Sequence, residues 1–396
     1  MKFKLPAEVL FIIDRLEAHG YRADVVGGPV RDFLLGKTPS DYDITTSALP
    51  EQTKVAFADK RTVDTGIKHG TVSLVLDGGQ YEITTYRIDG EYKDARHPET
   101  VSFTKELESD LARRDFTMNA IAYSPTRGIT DVFGGREDIS AGIIRTVGEP
   151  QLRFSEDALR ILRGVRFAAR LGFEVEEGTR LAMLNGRHTL RLVSAERIFV
   201  ELKKLLEGDF AYSVLASYSE IILVVLPELF RLSLPDESAF LSAEPYTRLL
   251  SLFALSTENP SAAFATAMRR LKSDNETRLV GEAVLSEIGK RRLGSLSEAA
   301  ELLSLLGERG AKIFVDLENL LGRFGEREKE LLARAINDKI PYKIAHLDVT
   351  GNDLLALGLC GKEIGRALAE LLELVISGEL KNERGALLAY LTQKRM

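Results

Sequence analysis

The chain has 396 residues, enough for two to four packed units at roughly 100 to 200 residues each, and its 44% hydrophobic and 28% charged residues are those of an ordinary soluble globular protein. A single cysteine, Cys360, excludes an intramolecular disulfide and suits a reducing cytoplasm, and the longest aliphatic run, 221–226, falls far short of the roughly 20 residues a membrane span needs. The net charge of −6 excludes a nucleic-acid partner gripped by bulk charge: residues 1–148 carry −4, residues 149–208 carry +2 and residues 209–396 carry −4, so any RNA must be held by local basic patches and by shape.

In chain order, residues 6–19 place Val9, Ile12, Ile13 and Leu16 at helical spacing, which predicts a scaffold helix. Val25 and Val26 then lead into Gly27-Gly28, a buried strand ending in a turn, and Pro29 to Leu35 start a helix that Gly36 closes. Strand, Gly-Gly and helix N-terminus together make a seat for phosphates, with Gly28 in the turn and Arg31 one turn in. In Asp41-Tyr42-Asp43 the two carboxylates, two apart on an expected strand, share a face and repel unless a cation such as Mg²⁺ sits between them. Either feature alone is commonplace, the first a mere turn and the second solvated surface. The combination, GGPVRD followed by DYDIT, resembles the signature of the polymerase β nucleotidyltransferase superfamily, in its tRNA nucleotidyltransferase and poly(A) polymerase branch.

A helix near 50–57 precedes β-like runs at 62–64, 70–76 and 81–86, the last two joined by the hairpin signal Asp77-Gly78-Gly79. Glu82 therefore sits on a strand near the DxD strand and is the candidate third catalytic carboxylate; the other reading is a plain surface residue. Residues 88–104 are polar, show no helix or strand period and read as a long loop, with Lys93, Asp94 and Arg96 at its charged centre and His97 where relatives often carry an arginine. In the family a shortened loop here marks CC-only enzymes, and this one looks full length. RRDFTMNA, 113–120, is by itself a helix start with solvated charges, but it resembles the segment of the family that reads the ribose, which implies roles for Arg114 and Asp115.

Residues 153–171 predict one helix with Ser155 as N-cap, an apolar face of Ala158, Ile161, Leu162, Val165 and Ala169, and a basic face in which Arg160, Arg163, Arg166 and Arg170 fall within about 120° of arc. These arginines have few acidic partners one turn away. EDALRILRGVRF resembles the nucleotide-selecting EDxxR motif of bacterial class II enzymes, which implies that Asp157 and Arg160 read the base while Arg163 and Arg166 hold Arg160 or meet the triphosphate. SAERIFVELKKLL resembles the motif that follows. From Ser194 onward the pattern is helical, with Asn352 expected to cap a helix in a C-terminal segment that resembles an RNA-binding tail.

The expected fold is α+β: a small mixed β-sheet head (1–148), then an all-α neck (149–208), body (209–330) and tail (331–396), the tail binding tRNA. The resemblance implies template-independent addition of CCA to the tRNA 3′ end from CTP and ATP, with Mg²⁺ held by Asp41 and Asp43. Rivals within the class are A-adding and CC-adding enzymes and a poly(A) polymerase; from another class, a non-catalytic nucleotide or RNA sensor. No segment points to a membrane or to a protein partner.

Overall fold

The computed structural model describes residues 3–76, 79–89 and 101–395. They fall into two compact units, Met1–Val225 and Leu226–Met396. Unit 1 opens with α1 (Ala7–Ala18), whose Val9, Ile12, Ile13 and Leu16 are all buried as their spacing requires. Then follow β1 (Ala23–Val26), α2 (Gly28–Leu34), β2 (Asp43–Thr46), α3 (Pro50–Ala56), β3 (Arg61–Gly66), β4 (Thr71–Leu76) and β5 (Gly79–Thr85). After the short strands β6 (Arg87–Asp89) and β7 (Val101–Phe103) come α4 (Leu107–Ala112), β8 (Ile121–Ser124), β9 (Gly128–Asp131), α5 (Gly135–Ala141) and β10 (Ile143–Ile144).

Seven strands form one mixed sheet in the order β3-β4-β5-β2-β1-β8-β9. Only β2 and β5 run parallel within it, and their register sets Asp43 opposite Glu82 and Thr45 opposite Thr84. Because strand side chains alternate, Asp43, Thr45, Glu82 and Thr84 share one face while Ile44 and Ile83 enter the core. The hairpin tip at Asp77-Gly78 and the loop centre, with Gly90, Lys93, Asp94, Arg96 and His97, lie outside the described residues. The ends of the expected loop are a correction: Arg87–Asp89 and Val101–Phe103 pair as antiparallel strands, because alternation over three residues is too short a signal to read.

The rest of unit 1 is helical: α6 (Pro150–Glu156), α7 (Leu159–Leu171), the short β11 (Glu174–Val175) paired with β10, then α8 (Glu177–Gly186), α9 (Ala195–Leu206), α10 (Ala211–Ser217) and α11 (Ser219–Val225). The single helix expected over 153–171 is broken. Asp157 is extended (φ −143°, ψ 102°) between α6 and α7, and its Oδ1 accepts from Leu159 N at 3.1 Å. Ser155 lies inside α6, its Oγ donating to Leu152 O, and the carboxylate that meets the first N–H of α7 is that of Asp157.

Unit 2 contains α12 (Glu237–Ser242), α13 (Pro245–Ser256), α14 (Pro260–Arg270), α15 (Asn275–Glu287), α16 (Leu296–Leu320), α17 (Glu326–Asn337), α18 (Gly351–Ala356), α19 (Lys362–Ser377) and α20 (Arg384–Arg395). Thr350, not Asn352, caps α18, in a box with Asp353. Leu354, Leu368, Leu371, Leu387 and Leu391 form the core of the last three helices. Among the described residues, no helix is long and apolar enough to cross a membrane.

Candidate active site

The turn between β1 and α2 is held open by Gly27, at φ +79°, a conformation that side chains with a Cβ rarely adopt. A Cβ there would stand 3.0 Å from Arg114 Nη1, whereas one on Gly28 would meet Arg31 Nη2 at an ordinary 3.8 Å. The steric demand falls on Gly27, and Arg114 is what it makes room for. Arg114 follows α4, reaches Asp110 at 3.4 Å, and keeps a buried Nε with no hydrogen-bond partner. Burial pulls its pKa down, opposed by Asp110. An arginine so placed beside a Gly-Gly turn has the chemistry to receive an anion.

Asp43 opens β2, but Asp41 precedes the strand, exposed, with Ser40 Oγ donating to it at 3.1 Å. The shared strand face expected for the pair therefore belongs to Asp43 and Glu82 instead. Asp43 is accessible yet ringed by protein. That loss of solvent raises its pKa; Arg114 pulls it down, and Asp41 and Glu82 push it up again. Among the described residues no three His, Cys, Asp or Glu side chains converge into a cage. Mg²⁺ needs none: it keeps several waters and binds through one or two carboxylates plus substrate phosphates. The hard oxygens of Asp41 and Asp43, and the mutual repulsion a cation would relieve, fit it.

Asp115 lies in the buried segment between α4 and β8, closed by the 3₁₀ turn Thr117–Asn119. Its Oδ1 accepts from Phe116 N at 2.8 Å and from Asn119 Nδ2 at 3.2 Å; its Oδ2 accepts from Arg163 Nε at 2.8 Å. Burial pushes its carboxyl up, but Arg163 and Asn119 outweigh that and hold it at about 2.

Most of the basic face of α7 is turned into the protein. Arg160 and Arg166 are buried while Arg170 is exposed, and among the described residues Arg160, Arg163 and Arg166 each find a carboxylate. Arg160 pairs with Glu156 at 2.6 Å, one turn back across the helix break, and donates from Nη2 to Arg113 O at 2.9 Å. Arg163 pairs with Asp115 at 2.6 Å, and Arg166 with Glu201 of α9 at 2.6 Å while lying 3.9 Å from the centre of the Phe167 ring. Burial draws Arg166 down to about 10, against the pull of Glu201. Asp157 and Arg160 do not pair with each other: Asp157 Oδ2 accepts from Arg197 at 2.7 Å.

Sequence reasoning missed Asn119, Arg197 and Glu201. The signal for Glu201 was present, since it falls three residues after Ile198 and four before Leu205 on an apolar stripe, where a carboxylate has to be paired. Arg197 and Asn119 carried no such mark.

Three family profiles match the chain: "Poly A polymerase head domain" over residues 23–145, "Probable RNA and SrmB- binding site of polymerase A" over 172–231, and "tRNA nucleotidyltransferase domain 2 putative" over 242–391. The CCA-adding enzyme of Enterococcus faecalis is 37% identical over 396 residues, covering 97% of this chain and 95% of its own, and that of Geobacillus stearothermophilus is 38% identical, covering 98% and 96%. Among solved structures, the Bacillus stearothermophilus CCA-adding enzyme in complex with CTP superposes with a TM-score of 0.80 at 33% identity, over 99% of this chain and 98% of that one.

Proposed function

The chain belongs to the family of CCA-adding enzymes, and from that premise we propose that it adds CCA to the 3′ end of tRNA, without a nucleic-acid template, from CTP and ATP in the cytoplasm. What supports this reading in the chain itself is Asp43 opposite Glu82, beside the Gly27 turn and Arg114. In the proposed division, residues 1–148 form the head, 149–208 the neck, 209–330 the body and 331–396 the tail that holds tRNA.

Asp41 and Asp43 would hold Mg²⁺, which when bound would lower the pKa of the primer hydroxyl and neutralise charge on the phosphates. Arg31 and Arg114 orient the triphosphate at the N-terminus of α2, and Glu82 flanks Asp43. Asp115 sets the group that bonds the ribose 2′-hydroxyl.

The base is chosen by donors and acceptors. Cytosine and adenine each present an amino donor beside a ring acceptor, whereas uracil and guanine present an acceptor beside an N–H. Asp157 accepts and Arg160 donates, a pattern that fits C and A and leaves both groups unpaired against U or G. A carboxylate has about four lone-pair positions and a guanidinium five N–H groups, so both residues can read a base while keeping the helix cap and the contact to Arg113. Arg163 and Arg166 brace this face from behind.

The deciding experiment supplies tRNA lacking its CCA, Mg²⁺ and each nucleotide separately. CTP alone should add two residues, ATP should then add one, and UTP and GTP none. Addition of A but not C, or of C with no following A, would replace the reading with an A-adding or a CC-adding enzyme.

A further inference from the structure

Asn119 stands between two charged residues from distant parts of the head. Its Oδ1 accepts from Arg31 Nη1 at 2.7 Å, and its Nδ2 donates to Asp115 Oδ1 at 3.2 Å. The side chain is almost wholly buried, and its backbone N–H closes the 3₁₀ turn on Phe116 O at 2.9 Å. Arg31 is held at its other edge by Asp32 and lies 5.3 Å from the Phe167 ring, and Asp115 is held at its other oxygen by Arg163. Each end of the bridge is thus anchored on its own side, and Asn119 is the side chain that couples the two.

The chemistry of the position is narrow. An uncharged side chain of this length that accepts from a cation at one end and donates to an anion at the other is an amide. Aspartate in its place still accepts from Arg31 but sets a second carboxylate against Asp115. Alanine leaves a buried guanidinium N–H and a carboxylate oxygen each one partner short.

We propose that Asn119 is a positioning residue for sugar selection: it fixes the Asp115 carboxylate relative to Arg31, so that the part of the site that reads the ribose and the seat of the triphosphate keep one spacing. This rests on the assignment of Asp115 to the ribose 2′-hydroxyl. Asn119 itself touches neither phosphate nor sugar.

The test measures kcat/KM for ATP and for dATP on tRNA ending in CC, in the parent, Asp115→Ala, Asn119→Asp and Asn119→Ala proteins, with inhibition by inorganic triphosphate as a second readout. The preference for ATP should fall about tenfold in both Asn119 variants, equivalent to about 1.4 kcal/mol. Inhibition by triphosphate should persist in Asn119→Asp, which keeps an acceptor for Arg31, and weaken in Asn119→Ala. A role confined to folding would lower ATP and dATP alike and leave their ratio unchanged. An unchanged ratio in the Asn119 variants, with a changed one in Asp115→Ala, overturns the proposal. An unchanged ratio in Asp115→Ala overturns the ribose assignment beneath it. Should Asn119→Ala fail to fold, the isosteric Asn119→Asp decides alone.

Discussion

Arg163 and Asp115 are 48 positions apart in the chain and 2.6 Å apart in the fold, an ion pair that ties helix α7 to the segment carrying Arg114. The Asp115 carboxyl titrates at about 2, below the roughly 3.9 of an unfolded aspartate. A depressed carboxylate stabilises the fold above its unfolded pKa, and that contribution disappears as pH falls through the folded value. It is worth about 2 to 3 kcal/mol at neutral pH. Asp115→Asn should therefore unfold at lower urea than the parent at pH 7, with the gap narrowing as pH drops from about 4 toward 2. A gap independent of pH would mean that packing, not charge, holds this contact.

Asp43 has the opposite sign. Its pKa is raised, so its ionisation costs stability once pH exceeds the unfolded value, and the cost is complete above the folded one. Without Mg²⁺, Asp43→Asn should melt slightly higher than the parent at pH 7 and no higher at pH 3. Nucleotide addition by Asp43→Asn or Asp41→Asn should fall by about three orders of magnitude, the equivalent of about 4 kcal/mol of transition-state stabilisation. Wild-type turnover in either variant would remove these residues from the chemistry.

Glu201 is buried and faces two guanidinium groups, 2.6 Å from Arg166 and 3.8 Å from Arg163. Removing one partner from a buried ion pair leaves an uncompensated charge, at a cost of about 3 to 5 kcal/mol. Glu201→Gln should lower the melting temperature by several degrees, and adding Arg166→Met should recover part of the loss. Additive losses in the double variant would show that the two residues are not coupled.

Asp157 is bound to Arg197, and Arg160 to Glu156 and Arg113. Alanine at either 157 or 160 should reduce use of CTP and ATP together and narrow their margin over UTP by about tenfold, the value of one lost polar contact of about 1 to 2 kcal/mol. Single-nucleotide incorporation assays read this margin directly. A margin that survives both substitutions would place base reading elsewhere.

What could be read from the sequence is what short-range physics writes. The spacing of Val9, Ile12, Ile13 and Leu16, the Gly-Gly turn before Pro29 and the β-branched run into Gly27 each depend on residues within a few positions of one another, and these elements form as expected. Glu82 was placed near the DxD strand because a hairpin signal limits where the following strand can lie. The partners of the arginines on α7 could not be found that way. Whether Arg163 faces solvent or Asp115, and whether Arg166 faces solvent or Glu201, depends on which helix packs against α7 and on segments 35 or more positions away. The same limit hid Asn119. A single amide between Met118 and Ala120 carries no periodicity to betray it, and only the approach of α2 to the turn after Phe116 gives it a cation on one side and a carboxylate on the other. Local propensity determined the elements; burial decided the pairings, because a charge removed from water must find its counterion wherever the fold brings one.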